Sequence, residues 1–156
     1  MVGRMYTPVS PMNQKGSIDF VIKCYPITEE FPKGGVFGQY LESRKVGDKL
    51  LMEGPMGRIT YKGNGMFHPM NKDPIKRTKI GLLAGGSGIT PMYSIMDAIY
   101  RAREQNMSVK MIYSNKTCSD ILIKDELDAI NADESMPNIS VTHTITRHPA
   151  GDKWPN

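Results

Sequence analysis

The spacing of apolar positions changes partway along the 156 residues. In the first half they come in short runs, at 6–9, 17–25, 49–53 and 58–61, broken by Gly- and Pro-containing clusters at 11–16, 54–57 and 63–65. Short runs bounded by such turn residues predict antiparallel β structure. The second half predicts a strand at 79–84, a helix at 91–104, a strand at 109–114, a helix at 123–130 and a strand at 139–144. Strands alternating with helices mark a parallel α/β sheet. The polar stretch 71–77, with Asp73 and Pro74, separates the two patterns and sets the expected domain boundary, giving units 1–74 and 75–156.

Composition narrows the class. With 39% hydrophobic and 23% charged residues the chain is globular rather than disordered or fibrous. Its apolar runs fall far short of the roughly 18 to 20 residues that cross a bilayer, and the first residues carry no apolar stretch of signal-peptide length. Cys24 and Cys118 lie 94 residues apart without a CxxC, which argues against a zinc site and for reduced thiols. The net charge is +4, with +3 on residues 1–74 and +1 on 75–156. Basic residues are interspersed with acidic ones, so nucleic acid is not the expected partner, whereas an acidic protein fits.

Three segments carry candidate chemistry. Period-two geometry sorts 18–25 into an apolar face, Ile18, Phe20, Ile22 and Cys24, and a face with Asp19, Val21, Lys23 and Tyr25. That second face is either solvated or suited to a flat, anionic, aromatic ligand. Arg4 and Tyr6 share a face of the preceding run, and a hairpin through 11–16 would bring them towards Lys23 and Tyr25. The segment Gly34, Gly35, Val36, Phe37, Gly38 reads as a glycine-rich start to a short helix, either a plain turn or a pyrophosphate site. Ala84, Gly85, Gly86, Ser87, Gly88, Ile89, Thr90, Pro91 follows a strand and opens a helix, the setting of a nucleotide loop, although Pro91 stands where GxGxxG would place its third glycine. Thr90 and Pro91 form an expected N-cap and first-turn pair. His68, His143 and His148 are isolated, and no Ser/His/Asp or paired-carboxylate set stands out, so the chemistry is expected to belong to a cofactor.

The motifs RMYTP at 4–8, IDFVIKCY at 18–25, FPKGGVFGQYL at 31–41, EGPMG at 53–57, LLAGGSGITPM at 82–92 and SNKTCSDILIKDEL at 114–127, in this order and spacing, resemble the NADH-cytochrome b5 reductase family. Its ferredoxin reductase-type FAD and NAD domains also occur in nitrate reductases. The resemblance implies an antiparallel β-barrel FAD-binding domain followed by a parallel-sheet α/β NAD-binding domain, both partial here. The family's first three barrel strands and its CGPxxM motif lie outside these residues, and the expectation is a fragment of a longer protein.

By position the resemblance assigns FAD to Arg4, Tyr6, Thr7, Pro8, Val21, Lys23, Tyr25, Gly35, Val36, Phe37, Gly38 and Thr90, and the NADH loop to Gly86, Ser87 and Pro91, with Lys23 also near the dinucleotide. Thr7, Lys23 and Thr90 are the implied catalytic residues, with Lys23 and Arg4 holding phosphates and Thr7 or Thr90 tuning the flavin edge. Two departures carry consequences. Gly38 replaces a family serine, removing a hydroxyl from the pyrophosphate at a cost of about 1 kcal/mol. Thr146, followed by Arg147, replaces an acid that favours NADH, so NADPH is expected to be tolerated. The implied function is an FAD-dependent oxidoreductase passing electrons from NADH to a haem protein such as cytochrome b5. The full-length protein is expected on the cytoplasmic side, at the endoplasmic reticulum or mitochondrial outer membrane if anchored. The alternatives are the reductase domain of a nitrate reductase and an inactive fragment that binds nucleotide weakly.

Overall fold

A computed structural model describes residues 3–29 and 31–147. The second half folds largely as its periodicity dictates. Strands β4 (Lys79–Gly85), β5 (Ser108–Asn115) and β6 (Ile139–Ile145) form a parallel sheet in the order β4-β5-β6, linked by helices α2 (Ile89–Arg101) and α3 (Lys124–Ala132). One face of this sheet, formed by Leu82, Ala84, Val109, Met111, Tyr113, Ile139 and Val141, is buried. The core row Leu82, Met111 and Val141 is in register across all three strands. On α2, Ile89, Tyr93 and Met96 recur at helical spacing and complete the core with Ile99, Leu127 and Ile130. Met96, Met107, Met111 and Met136 are essentially solvent-free, so part of the high methionine content fills core gaps.

The helix start differs from expectation. A 3-10 turn (Gly86–Gly88) runs directly into α2, whose N-cap is Gly88, and Thr90 therefore sits inside the first turn. Its hydroxyl donates to the Ser87 carbonyl at 3.5 Å instead of capping. Pro91 is tolerated there because first-turn amides lack intrahelical partners anyway.

The first half departs further. Helix α1 (Val36–Glu42) forms where the glycine-rich segment predicts it, but only β1 (Ile59–Tyr61) of the expected runs becomes a strand. Runs 6–9, 17–25 and 49–53 form no ladder among the described residues. Val9 N–H donates to the Asp19 carbonyl at 2.9 Å, an isolated bond between the first two runs. An apolar pattern marks what can be buried, whereas a strand also requires a neighbour for its backbone groups.

β1 pairs with β2 (Met66–Pro69), which pairs in turn with β3 (Ile75–Lys76), two strands not foreseen, in an antiparallel sheet. This sheet is fastened to the second half. Tyr61 packs on Phe67 with ring centroids 4.9 Å apart, and its hydroxyl donates to Glu104 at 2.5 Å while accepting from Gly65 N–H at 3.1 Å. No helix among the described residues is long and apolar enough to cross a membrane.

Candidate functional site

The candidate site lies where the first half meets the carboxyl ends of the parallel strands, the usual place for a ligand on an open α/β sheet. Two cavities share Lys23 and Tyr25 as a common wall. The smaller, about 330 Å³, is completed by Met5, Tyr6, Thr7 and Val21 from the first half and by Ser87, Gly88, Thr90 and Pro91 from the glycine-rich turn. The larger, about 430 Å³, is completed by Gly86, Ser114, Asn115, Lys116, Asp120 and Thr146.

The structure therefore gathers Tyr6, Thr7, Val21, Lys23, Tyr25, Ser87, Thr90 and Pro91 around one cavity, and the period-two face of Val21, Lys23 and Tyr25 stays together. Asp19, on the same predicted face, is instead exposed and accepts from Gln14 at 2.9 Å. Arg4 lines neither cavity; it is exposed and donates to the Gly3 carbonyl. Pro8 also lies outside both walls.

The glycine-rich segment packs behind this wall. Gly35 N–H donates to the Tyr25 carbonyl at 2.8 Å, and Phe37 stacks on Tyr6 at 5.6 Å, while Val36 is exposed. Gly34 has φ +55°, and a Cβ there would meet the Tyr25 carbonyl oxygen at 2.8 Å, so only glycine fits. Gly38 is buried against Cys24, whose Cα would lie 3.3 Å from an added Cβ. A serine at 38 would therefore have to displace Cys24 by a few tenths of an ångström. Burial, together with Glu42, pushes the Cys24 thiol up, away from the reactive thiolate.

Residues 114–120 supply the part of the site that individual side chains did not announce. Asp120 forms an ion pair with Lys23. It also accepts from Thr117 N–H at 3.1 Å and Thr117 Oγ1 at 2.8 Å, closing a capping box around the 3-10 turn (Cys118–Asp120). The Lys23 ammonium, and then Thr117, hold the Asp120 carboxyl below the usual carboxylate range. Tyr113, wholly buried, donates to the Gly86 carbonyl at 3.0 Å and accepts from Leu122 N–H at 3.2 Å. It ties the glycine-rich turn to the segment leading into α3. Asn115 is 5% exposed, and its carboxamide has no hydrogen-bond partner among the described residues. A buried amide without partners is costly unless something bonds it. The position of residues 114–116 at the carboxyl end of a parallel strand was the available sequence signal.

No cluster of metal-ligating side chains occurs among the described residues. His143 is mostly buried on β6 beside Tyr113, His68 is exposed on β2, and His148 lies outside the described residues. What the walls offer is two lysines beside one aspartate, aromatic rings and a glycine-rich turn with Gly86 at φ +49°. Rings and flat apolar surface suit a flavin, while lysines and backbone amides suit phosphates, so the residues present fit a flavin and a dinucleotide.

Comparison with known proteins agrees. Residues 1–61 match the oxidoreductase FAD-binding domain family and residues 82–154 the oxidoreductase NAD-binding domain family. The chain is 41% identical over 127 residues to the NADH nitrate reductase of Cucurbita maxima and 36% identical over 153 residues to that of Spinacia oleracea. These alignments cover 80% and 97% of this chain but 14% and 16% of those proteins. The cytochrome b5 reductase domain of Ulva prolifera nitrate reductase superimposes with a TM-score of 0.88 at 34% identity, covering 97% of this chain and 58% of that one. Ferredoxin-NADP+ reductase from Plasmodium falciparum, at 17% identity and a TM-score of 0.67 over 91% of this chain and 53% of that one, shares the fold.

Proposed function

The chain belongs to the ferredoxin reductase-type family of FAD- and NAD-binding oxidoreductases, and from that premise we propose that it is part of the electron-input end of a nitrate reductase, carrying electrons from NADH through FAD to a haem group. The observation that carries the reading is the pair of cavities divided by Lys23 and Tyr25. Transfer between two cofactors requires them side by side, and these cavities offer a flavin-sized aromatic wall next to a phosphate-friendly one. FAD, when bound, supplies the redox chemistry, accepting two electrons and releasing them one at a time.

The chain's own residues bind and orient. Tyr6, Thr7 and Val21 form one side of the flavin cavity, and Thr90, its hydroxyl already engaged by Ser87, closes the other. Tyr113 holds Gly86 in place for the dinucleotide, and Lys23 supplies positive charge to both cavities. Gly34 and Gly35 support Tyr25 from behind, and Gly38 packs on Cys24. Arg4 turns away from both walls, so its assignment to the pyrophosphate rests on the family resemblance.

A free-standing NADH-cytochrome b5 reductase is the second reading of the same site. The relatives favour the nitrate reductase, since the likeness extends to nitrate reductases in sequence and to the reductase domain of one in structure. The mild positive excess of the first half suits an acidic haem partner in either case. We propose a cytoplasmic-side location with it, to be tested by cell fractionation. Sequencing upstream separates the readings, because a nitrate reductase encodes haem and molybdenum domains there. The direct test is the visible spectrum of the purified chain after FAD is added and excess removed, followed by NADH. Flavin bands that bleach with NADH are expected; a colourless protein, together with no NADH-dependent ferricyanide reduction by the full-length gene product, refutes the proposal.

A further inference from the structure

Lys23 and Asp120 are 97 residues apart and come from different halves, yet their side chains meet across the larger cavity, each about one quarter exposed at 25% and 26%. Asp120 is the one acidic side chain in a wall that also holds Lys23 and Lys116. Its orientation is built in: Thr117 occupies Oδ2 through two hydrogen bonds and leaves Oδ1 for the lysine. Ser114, Lys116 and Thr146 complete the polar lining of this cavity around the pair. A carboxylate in such a wall opposes an anionic ligand, so its fixed placement calls for a function.

We infer that Asp120 is an internal competitor, holding the Lys23 ammonium where a phosphate of the incoming dinucleotide belongs, so that nucleotide binds by displacing it. The inference rests on the dinucleotide reading of this cavity and adds a device that sets affinity and release. The ion pair keeps a long, rotamer-rich side chain ordered before nucleotide arrives. Binding then exchanges one oxyanion for another on the same ammonium, which limits the net gain and speeds departure of the spent nucleotide. Asp120 is a positioning residue in this scheme and acts through Lys23.

The test uses the chain in isothermal titration with ADP and with adenosine, which shares the base and ribose but lacks phosphate. Asp120→Asn removes the charge and keeps an acceptor for Thr117; Asp120→Ser is a second charge-free variant. Both should bind ADP about three- to tenfold more tightly than the unaltered chain, with adenosine unchanged. In a Lys23→Met background, Asp and Asn at position 120 should bind ADP within about twofold of each other, since the competition has no object. Unchanged ADP affinity in both charge-free variants overturns the inference. So does an equal gain for adenosine, or a gain that persists without Lys23, which would mean simple repulsion. If the unaltered chain and all variants fail to bind ADP at millimolar concentration, the dinucleotide reading falls and takes the inference with it.

Discussion

Replacing Tyr113 by Phe isolates one oxygen atom whose contacts span the dinucleotide site. The side chain is fully buried, so the ring and its packing persist while the hydroxyl disappears. Two partners are stranded: the Gly86 carbonyl, 3.0 Å away, and the Leu122 N–H, 3.2 Å away. A net hydrogen bond contributes about 0.5–1.5 kcal/mol, and a buried group left unpaired costs about 1–3 kcal/mol. Gly86 and Leu122 are only half-buried, so water recovers part of the loss. The expected destabilisation is therefore about 1–2 kcal/mol.

Urea unfolding followed by circular dichroism reads this directly. With a slope of about 1–3 kcal/mol per molar urea, the midpoint should fall by roughly 0.3–2 M. Because the same hydroxyl fixes Gly86, ADP affinity should drop about two- to fivefold in parallel. Tyr100→Phe is the control: its hydroxyl also reaches a partner, Asp133 at 2.7 Å, but Arg103 and Ser135 hold that carboxylate too, so the midpoint should move less. Alkaline titration adds a second readout. Burial pushes the Tyr113 phenol up, so above the ordinary phenol value of about 10 the unfolded chain ionises first and stability is lost as pH rises. The Phe variant should lose that share of the alkaline slope. A midpoint within about 0.2 M of the unaltered chain, with ADP affinity intact, would refute the reasoning.

Three other perturbations test separate parts of the structure. Gly65 has φ +74°, and an added Cβ would lie 2.5 Å from the Arg77 carbonyl oxygen, so Gly65→Ala should cost about 2 kcal/mol or more in the same urea assay; a loss below about 0.5 kcal/mol contradicts the turn geometry. Burial lowers the His143 pKa and Asp128, 3.5 Å away, only partly offsets it, so stability should be full above about pH 6.5 and decline as pH falls below it. His143→Gln should flatten that decline, and an unchanged acid slope would remove His143 as its cause. Thr146 lines the larger cavity with Arg147 next in sequence, so the full-length protein should use NADH and NADPH within about tenfold in kcat/KM, and Thr146→Asp should restore NADH preference by roughly tenfold or more. A ratio above about 100 in the unaltered protein would refute this reading.

The α/β half was legible because each of its elements carries its own period and its neighbours follow in sequence. β4, α2, β5, α3 and β6 all lie close to their predicted places. The first half hides more, since a β-type run states which residues can be buried without naming the strand that will accept its hydrogen bonds. Segment 17–25 illustrates the division. Its alternation put Val21, Lys23 and Tyr25 on one face, and they do line one cavity, yet the segment belongs to no ladder among the described residues. β2 and β3 escaped for the opposite reason: at four and two residues, the first ending on Pro69 and the second following Pro74, they read as punctuation, and only pairing makes them strands.

Lys23 and Asp120 mark the limit of reading from sequence. Lys23 could be picked out because it shares a face with Asp19, Val21 and Tyr25, an unusual mixture of charge, β-branch and aromatic ring. Asp120 could not, because an aspartate three residues after a threonine is an ordinary capping pattern, and here it does cap. Its second role exists only because the parallel sheet carries the end of β5 to the cleft where residues 21–25 arrive from the other half. One carboxylate thus serves local structure through Oδ2 and the site through Oδ1. Substitutions at 120 must therefore be judged on both counts: Asn should keep the turn and free the lysine, whereas Ala should loosen the turn and obscure any gain in nucleotide affinity.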